Sequence, residues 1–137
     1  FNGNPASMAA AIATMRAISD PEIGFHEHVT RLGDRMRAGL TEITERHSIP
    51  AIVSGLGSVF VTYFMDGPVR GYRDLLRNND TAYAMFHRRM TDEGFMMYPM
   101  TLKRNHISGA HTEEHIDRTL EAADRVLGGM AHEGVFG

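Results

Sequence analysis

Ser58-Val59-Phe60-Val61-Thr62-Tyr63-Phe64-Met65 is the stretch on which the fold turns. It is crowded with β-branched and aromatic residues, the composition of a strand. Side chains alternate along a strand, so Val59, Val61, Tyr63 and Met65 share one face and Phe60, Thr62 and Phe64 the other. Both faces carry large apolar groups. The strand is therefore expected at the centre of a sheet, covered on at least one side. Asp66-Gly67-Pro68 is turn chemistry and ends it. On the other side, Gly55-Leu56-Gly57 turns the chain from a shorter strand, Ala51-Ile52-Val53.

Before that hairpin, Val29, Leu32, Met36, Leu40 and Ile43 step by three and four. This predicts a helix from about Glu22 or Phe25 to His47, closed by Ser48-Ile49-Pro50, with one apolar stripe. Arg31, Asp34, Arg35, Arg37, Glu42 and Glu45 fall mostly off the stripe and read as a solvated face. Earlier still, Asn4 suits an N-cap and Pro5 a first helical position, followed by alanine-rich sequence to Ser19. Asp20-Pro21 ends that helix, because the residue before proline is pushed out of the α region. Met8, Ile12, Met15 and Ile18 recur at helical spacing, with almost no polar face before Arg16. Such a helix is usually buried on several sides. Phe1 to Gly3 would form the turn that feeds it.

After the hairpin, Gly71 to Asn79 reads as a helical turn on the surface. Asp80 is expected to cap a helix over Thr81 to Glu93, with Tyr83, Phe86 and Met90 inward and Gly94 as its stop. Phe95 to Tyr98 reads as a strand, Met100 to Asn105 as a loop and His106 to Ala110 as a brief strand. Thr112 caps a last helix, with Glu113 and Glu114 favourably placed in its first turn. Its stripe is Ile116, Leu120, Ala123 and Leu127. Gly128-Gly129 is read as its end, with a frayed tail beyond.

The order is one helix, then helix–strand–strand–helix–strand–strand–helix. It predicts an α+β layer: a small, mainly antiparallel sheet with helices on one face, preceded by a long connector helix. The expected boundaries are 1–19 for the connector, 20–130 for the small domain and 131–137 for the tail. A chain that opens on Phe1 at a loop-to-helix junction reads as the later part of something longer.

Composition narrows the function. Apolar residues make up 42% of the chain, enough for a core. The net charge of −3, without a basic block, gives no sign of nucleic-acid binding. The lack of cysteine removes disulfides, thiolate catalysis and cysteine-type zinc sites, and fits a cytoplasmic protein. No apolar run approaches the roughly 20 residues of a membrane span. Of the 14 basic residues only Lys103 is a lysine. The 10 methionines read as core filling.

Several groupings invite chemistry. His26 and His28 flank Glu27, and His111 and His115 lie four apart with His106 nearby. However, His111 precedes the helix cap, and His-Thr-Glu-Glu-His is not the zincin order, so surface and capping roles explain them better than a metal. Ser58 and Ser108 lack a nucleophile-elbow context. Gly55-Leu56-Gly57 is too short for a phosphate loop. Lys103-Arg104 is more informative: two cations in a loop between short strands. Arginine's planar fork donates two parallel bonds to a carboxylate. The plain alternative is an exposed basic loop.

Phe1-Asn2-Gly3-Asn4-Pro5-Ala6-Ser7-Met8-Ala9-Ala10 resembles the start of the connector helix in class III aminotransferases, pyridoxal-phosphate enzymes of the aspartate aminotransferase fold type. Gly94-Phe95-Met96-Met97-Tyr98-Pro99 and Ser108-Gly109-Ala110-His111-Thr112 resemble the glutamate-1-semialdehyde 2,1-aminomutase branch. The hairpin strand from Gly57 to Asp66 and the last helix also fit, so the resemblance covers essentially the whole chain.

The resemblance implies a connector helix plus the C-terminal small domain. The family's large domain would lie before Phe1 and carry the Schiff-base lysine, the aspartate facing the pyridine nitrogen and most cofactor contacts. Lys103 would not be that lysine, and this chain alone would hold neither catalytic residues nor pyridoxal phosphate. A Gly-Thr pair contacting the cofactor phosphate across a homodimer would fall just before Phe1, which puts Asn2 beside the phosphate site. The expected partners are the large domain, a second subunit and a small amino substrate, with no nucleic acid or membrane. One departure stands out. Aminomutases of this branch typically have glutamate where Lys103 stands, and other class III enzymes place a carboxylate-binding arginine in this neighbourhood. Two bases in place of an acid reverse the local field. Arg104, helped by Lys103, is then expected to hold a substrate carboxylate.

The competing readings are a stand-alone binding or structural module and, more remotely, a histidine-based metal protein. Exposure of Met8, Ile12 and Met15 separates the connector from the stand-alone module.

Overall fold

The computed structural model describes residues 3–137. Asn2, expected beside a phosphate site, lies outside the described residues, as does most of the opening turn. The elements in order are α1 (Pro5–Ser19), α2 (Phe25–Arg46), β1 (Ile52–Ser54), β2 (Val59–Tyr63), a 3₁₀ helix (Tyr72–Arg77), α3 (Asp80–Asp92), β3 (Asn105–His106) and α4 (Glu113–His132).

β2 is central, as its two apolar faces require, in a three-stranded antiparallel sheet of order β1-β2-β3. Ile52 pairs with Tyr63 and Ser54 with Val61, while Val59 pairs with His106 and Phe60 with Asn105. The predicted stripe of α2 is buried throughout, from Val29 to Ile43. Tyr83, Phe86 and Met90 of α3 and Ile116, Ala123 and Leu127 of α4 meet it, with Phe60 of β2 and Phe64 just beyond that strand, in one core. Thr62 is buried there too, its hydroxyl unpartnered among the described residues.

Close approach at a glycine fixes α2 against the hairpin. A Cβ at Gly33 would stand 1.9 Å from the carbonyl oxygen of Gly57, so the helix meets the turn backbone to backbone. Arg37, one turn on, donates to the carbonyls of Gly57 and Val59, both at 2.8 Å, and pairs with Asp34.

Gly128-Gly129 does not end α4, which runs on to His132. Gly128 serves packing instead: a Cβ there would lie 2.8 Å from the His47 ring. The true stop is Glu133-Gly134-Val135. Gly134 has φ +74°, its N–H donates to Ala131 at 3.0 Å, and the Val135 N–H donates to Met130 at 3.1 Å. Glu93-Gly94-Phe95 ends α3 with the same bonds, to Thr91 and Met90. This reciprocal pattern satisfies carbonyls a helix end leaves orphaned. The two stops are cross-linked: Arg89 of α3 grips Glu133 with two bonds, and Arg125 of α4 pairs with Glu93. Val135 and Phe136 pack on the core rather than fraying, Phe136 lying 5.1 Å ring to ring from Phe64.

Three smaller expectations shift. Asn79, not Asp80, caps α3, its Oδ1 accepting the Ala82 N–H at 2.9 Å. The brief strand is Asn105–His106 rather than His106 to Ala110. Phe95 to Tyr98 is not a strand: its backbone is taken up by side chains, as described below.

α1 forms as predicted, with the Asn4 side chain accepting the Ser7 N–H at 3.1 Å and Pro5 at its start. It buries none of its residues within this chain, contrary to its apolar composition. Met8, Ile12 and Met15 are 53%, 48% and 58% exposed.

Candidate functional site

A cleft of about 630 Å³ lies between α2, α4, the start of β2 and the segment from Gly94 to His111. Its floor is apolar, from Phe60, Phe95, Met97, Ile107 and Ile116. Its polar lining comes mainly from Arg104, Asn105, His106, His111 and His115. Among the described residues no aspartate or glutamate lines it, although the chain has 17 acidic residues.

Side chains hold the loop that carries Arg104. The Tyr83 hydroxyl donates to the Tyr98 carbonyl at 2.7 Å, and His87 Nε2–H donates to the Met97 carbonyl at 3.1 Å. The Tyr98 N–H is taken by Asn105 Oδ1 at 2.7 Å. Asn78 anchors the far side: its Oδ1 accepts the Phe64 N–H at 2.8 Å and its Nδ2 donates to Thr101 Oγ1 at 2.6 Å. Buried backbone groups need partners, and here α3 and its preceding turn supply them where a fourth strand was expected. Burial pushes the Tyr83 phenol up from its ordinary pKa, which keeps it protonated as a donor.

At the loop's tip Leu102 has φ +62°, a left-handed conformation uncommon for a residue with a side chain. Lys103 and Arg104 follow it. Both are exposed, but only Arg104 lines the cleft. Neither joins any ion pair among the described residues.

Hydrogen bonds engage His28, His111 and His115. His28 Nε2–H donates to the His111 carbonyl at 2.9 Å. Thr112 Oγ1 accepts the His115 N–H at 3.3 Å, and His115 Nδ1 accepts the Thr112 N–H at 3.1 Å, a capping box with histidine in the glutamate position. Among the described residues no group of three or more His, Asp or Glu is arranged to hold a metal ion. Ser108 Oγ lies 2.9 Å from His111 Nδ1. The contact closes a local turn and has no third, acidic member. Sequence reasoning preferred surface and capping roles for these histidines, and His115 does cap α4; it missed that His106, His111 and His115 line the cleft, for which their placement around the cap at Thr112 was the available signal.

The donor set does not fit a pyridoxal-phosphate cradle. Such a cradle needs a lysine near the reacting carbon and a carboxylate for the pyridine nitrogen. Here the one lysine is exposed outside the cleft lining, and no carboxylate of the described residues lines the cleft.

No protein-family model matches the chain. Curated relatives do. It is 32% identical over 127 residues to the glutamate-1-semialdehyde 2,1-aminomutase of Thermus thermophilus, covering 93% of this chain and 30% of that protein. It is 36% identical over 130 residues to the same enzyme of Methanothrix thermoacetophila, covering 94% and 29%. Among solved structures, a glutamate-1-semialdehyde aminomutase from Pseudomonas aeruginosa PAO1 superposes with TM-score 0.82 at 20% identity, covering 92% of this chain and 27% of that one. A transaminase with pyridoxal phosphate bound superposes with TM-score 0.74 at 26% identity, covering 96% and 29%. The chain thus spans about 30% of the length of the curated relatives it matches, and its fold is that of the C-terminal part of these enzymes. Along nearly its whole length the chain is thus similar in sequence to part of glutamate-1-semialdehyde 2,1-aminomutases, and its fold is shared with class III pyridoxal-phosphate aminotransferases.

Proposed function

We propose that this chain is the connector helix and small domain of a pyridoxal-phosphate-dependent aminotransferase or aminomutase, and that it forms the substrate-side wall of the active site. The Schiff-base lysine would come from a large domain outside these 137 residues. Bound there, the cofactor would supply the electron sink for chemistry on the amino-bearing carbon. This chain's part would be to bind and orient the substrate and to keep water from it. Taken alone it would be inactive. The complete enzyme would be a cytoplasmic homodimer.

The observation that carries the reading is Arg104: a guanidinium on the lining of a cleft without a single carboxylate, unpaired among the described residues. A cation so placed favours an anionic ligand, and a forked guanidinium favours a carboxylate. Lys103 beside it strengthens the field. Exposed Met8, Ile12 and Met15 on α1 support a connector built to pack on another domain rather than a stand-alone module.

Arg104→Ala in the complete enzyme should raise KM for an amino-acid substrate by about tenfold or more, the worth of a charge-assisted hydrogen bond. Turnover of an amine without a carboxylate should not change. Equal effects on both substrates would reject the assignment.

A further inference from the structure

Two imidazoles in the cleft have their tautomers fixed by the backbone. His111 Nδ1 accepts the Ser108 N–H at 3.0 Å and lies 2.9 Å from Ser108 Oγ, which itself accepts the Ala110 N–H at 3.4 Å. His115 Nδ1 accepts the Thr112 N–H at 3.1 Å. A ring nitrogen that accepts an N–H carries no proton, so a neutral ring in either position keeps its proton on Nε2. The two rings meet edge to face, with centroids 6.0 Å apart. Neither Nε2 has a partner among the described residues, whereas Asn105 Oδ1 and Thr119 Oγ1, also in the lining, are engaged with Tyr98 N–H and the His115 carbonyl.

We propose that His111 and His115 act as neutral Nε2–H donors and, with Arg104, form a binding site for a monocarboxylate with an apolar body. The proposal rests on Arg104 as the carboxylate anchor and extends that reading to the rest of the ligand. Two neutral donors add hydrogen bonds to an anion without repelling the guanidinium, as two imidazolium ions would. The floor of Phe60, Phe95, Met97, Ile107 and Ile116 offers apolar surface and no second cation, so it suits methylene or aryl groups and disfavours a second carboxylate. Each methylene buried there should tighten binding about fourfold.

The test is imidazole nitrogen NMR on the full chain, with hexanoate, acetate, succinate and hexylamine as probes. The free protein should show both rings as neutral Nε2–H tautomers. Hexanoate should shift both Nε2 resonances and bind at least tenfold tighter than acetate or succinate, with hexylamine leaving both rings unmoved. His111→Ala and His115→Ala should each weaken hexanoate about tenfold. Gln at either position, which keeps a donor near Nε2, should restore part of the loss. If either ring carries its proton on Nδ1, or if the Ala variants bind hexanoate unchanged, the proposal is overturned. Loss of binding in Arg104→Ala together with unchanged binding in both histidine variants would overturn it and leave the Arg104 anchor standing. The reverse pattern would remove the Arg104 anchor and overturn the three-residue site.

Discussion

The helical half of the molecule and the segment from Gly94 to Thr112 are built by different means. In α2, α3 and α4 each element satisfies its own backbone, and apolar side chains only have to meet. Leu32, Phe86 and Leu127 are buried as their periodicity requires. From Gly94 to Thr112 the chain is held largely by side chains: Tyr83 and His87 bond its backbone, Asn78 bonds the Thr101 hydroxyl, and the segment's own Asn105 takes the Tyr98 N–H. The first kind of structure tolerates polar change on its surface and fails when its core is hollowed. The second depends on single hydrogen bonds, each of which can be cut without disturbing the core. The cleft and Arg104 belong to the second kind, as is common where a rigid scaffold presents a functional loop.

Hollowing the core should give the largest effect. Phe86→Ala removes a ring that is 1% exposed and in edge contact with Phe64. It should cost about 3–5 kcal/mol in urea unfolding, with all elements lost together. A small, local loss would break the comparison. Tyr83→Phe keeps the ring but cuts the bond to the Tyr98 carbonyl. It should cost only about 1–2 kcal/mol while amide exchange accelerates across Tyr98 to Arg104. Acceleration spread evenly over α2 and α4 would show that the loop is not separately held. The smallest effect concerns Asp74 in the 3₁₀ helix, which works as the cleft loop does. Its carboxylate accepts the Arg70 and Gly71 N–H groups at 2.8 and 3.0 Å, and these bonds hold its pKa below the usual carboxylate value. A depressed folded pKa means the contribution is present above the unfolded value and fades as pH falls through the folded one. Protection of the Arg70 and Gly71 amides should therefore hold at neutral pH, persist through the ordinary carboxylate range and be lost only in stronger acid. In Asp74→Asn it should be weak at every pH.

The same division explains what could be read in advance. Helix boundaries and the central place of β2 follow from spacing and residue type, which are local. The end of α4 was misread because Gly128-Gly129 looks like a stop, while the glycine at 128 makes room for His47 from another helix. The repeated Glu-Gly-apolar signature at 93–95 and 133–135 was in plain view and marks both true ends. The strand expected over Phe95 to Tyr98 failed for a non-local reason: its partners are side chains of α3 and Asn105, a role that propensity does not encode. For the candidate site, charge and loop placement singled out Lys103-Arg104 without deciding against a plain exposed basic loop; the structure seats Arg104 in the cleft lining and leaves Lys103 outside it. The histidine donors were not legible, since a tautomer depends on which backbone N–H the ring accepts.

The sulfur around the cleft also has a consequence. Met36, Met96 and Met97 all line it, in a chain with no thiol to intercept oxidants. Met96 is 91% exposed and Met97 only 8%. Peroxide would therefore reach the rim first and turn a greasy thioether into a polar sulfoxide at the mouth of an apolar cavity, while the inner sulfur stays sheltered. Oxidative wear on this protein would begin as a change of taste at its doorway, long before the scaffold behind it noticed.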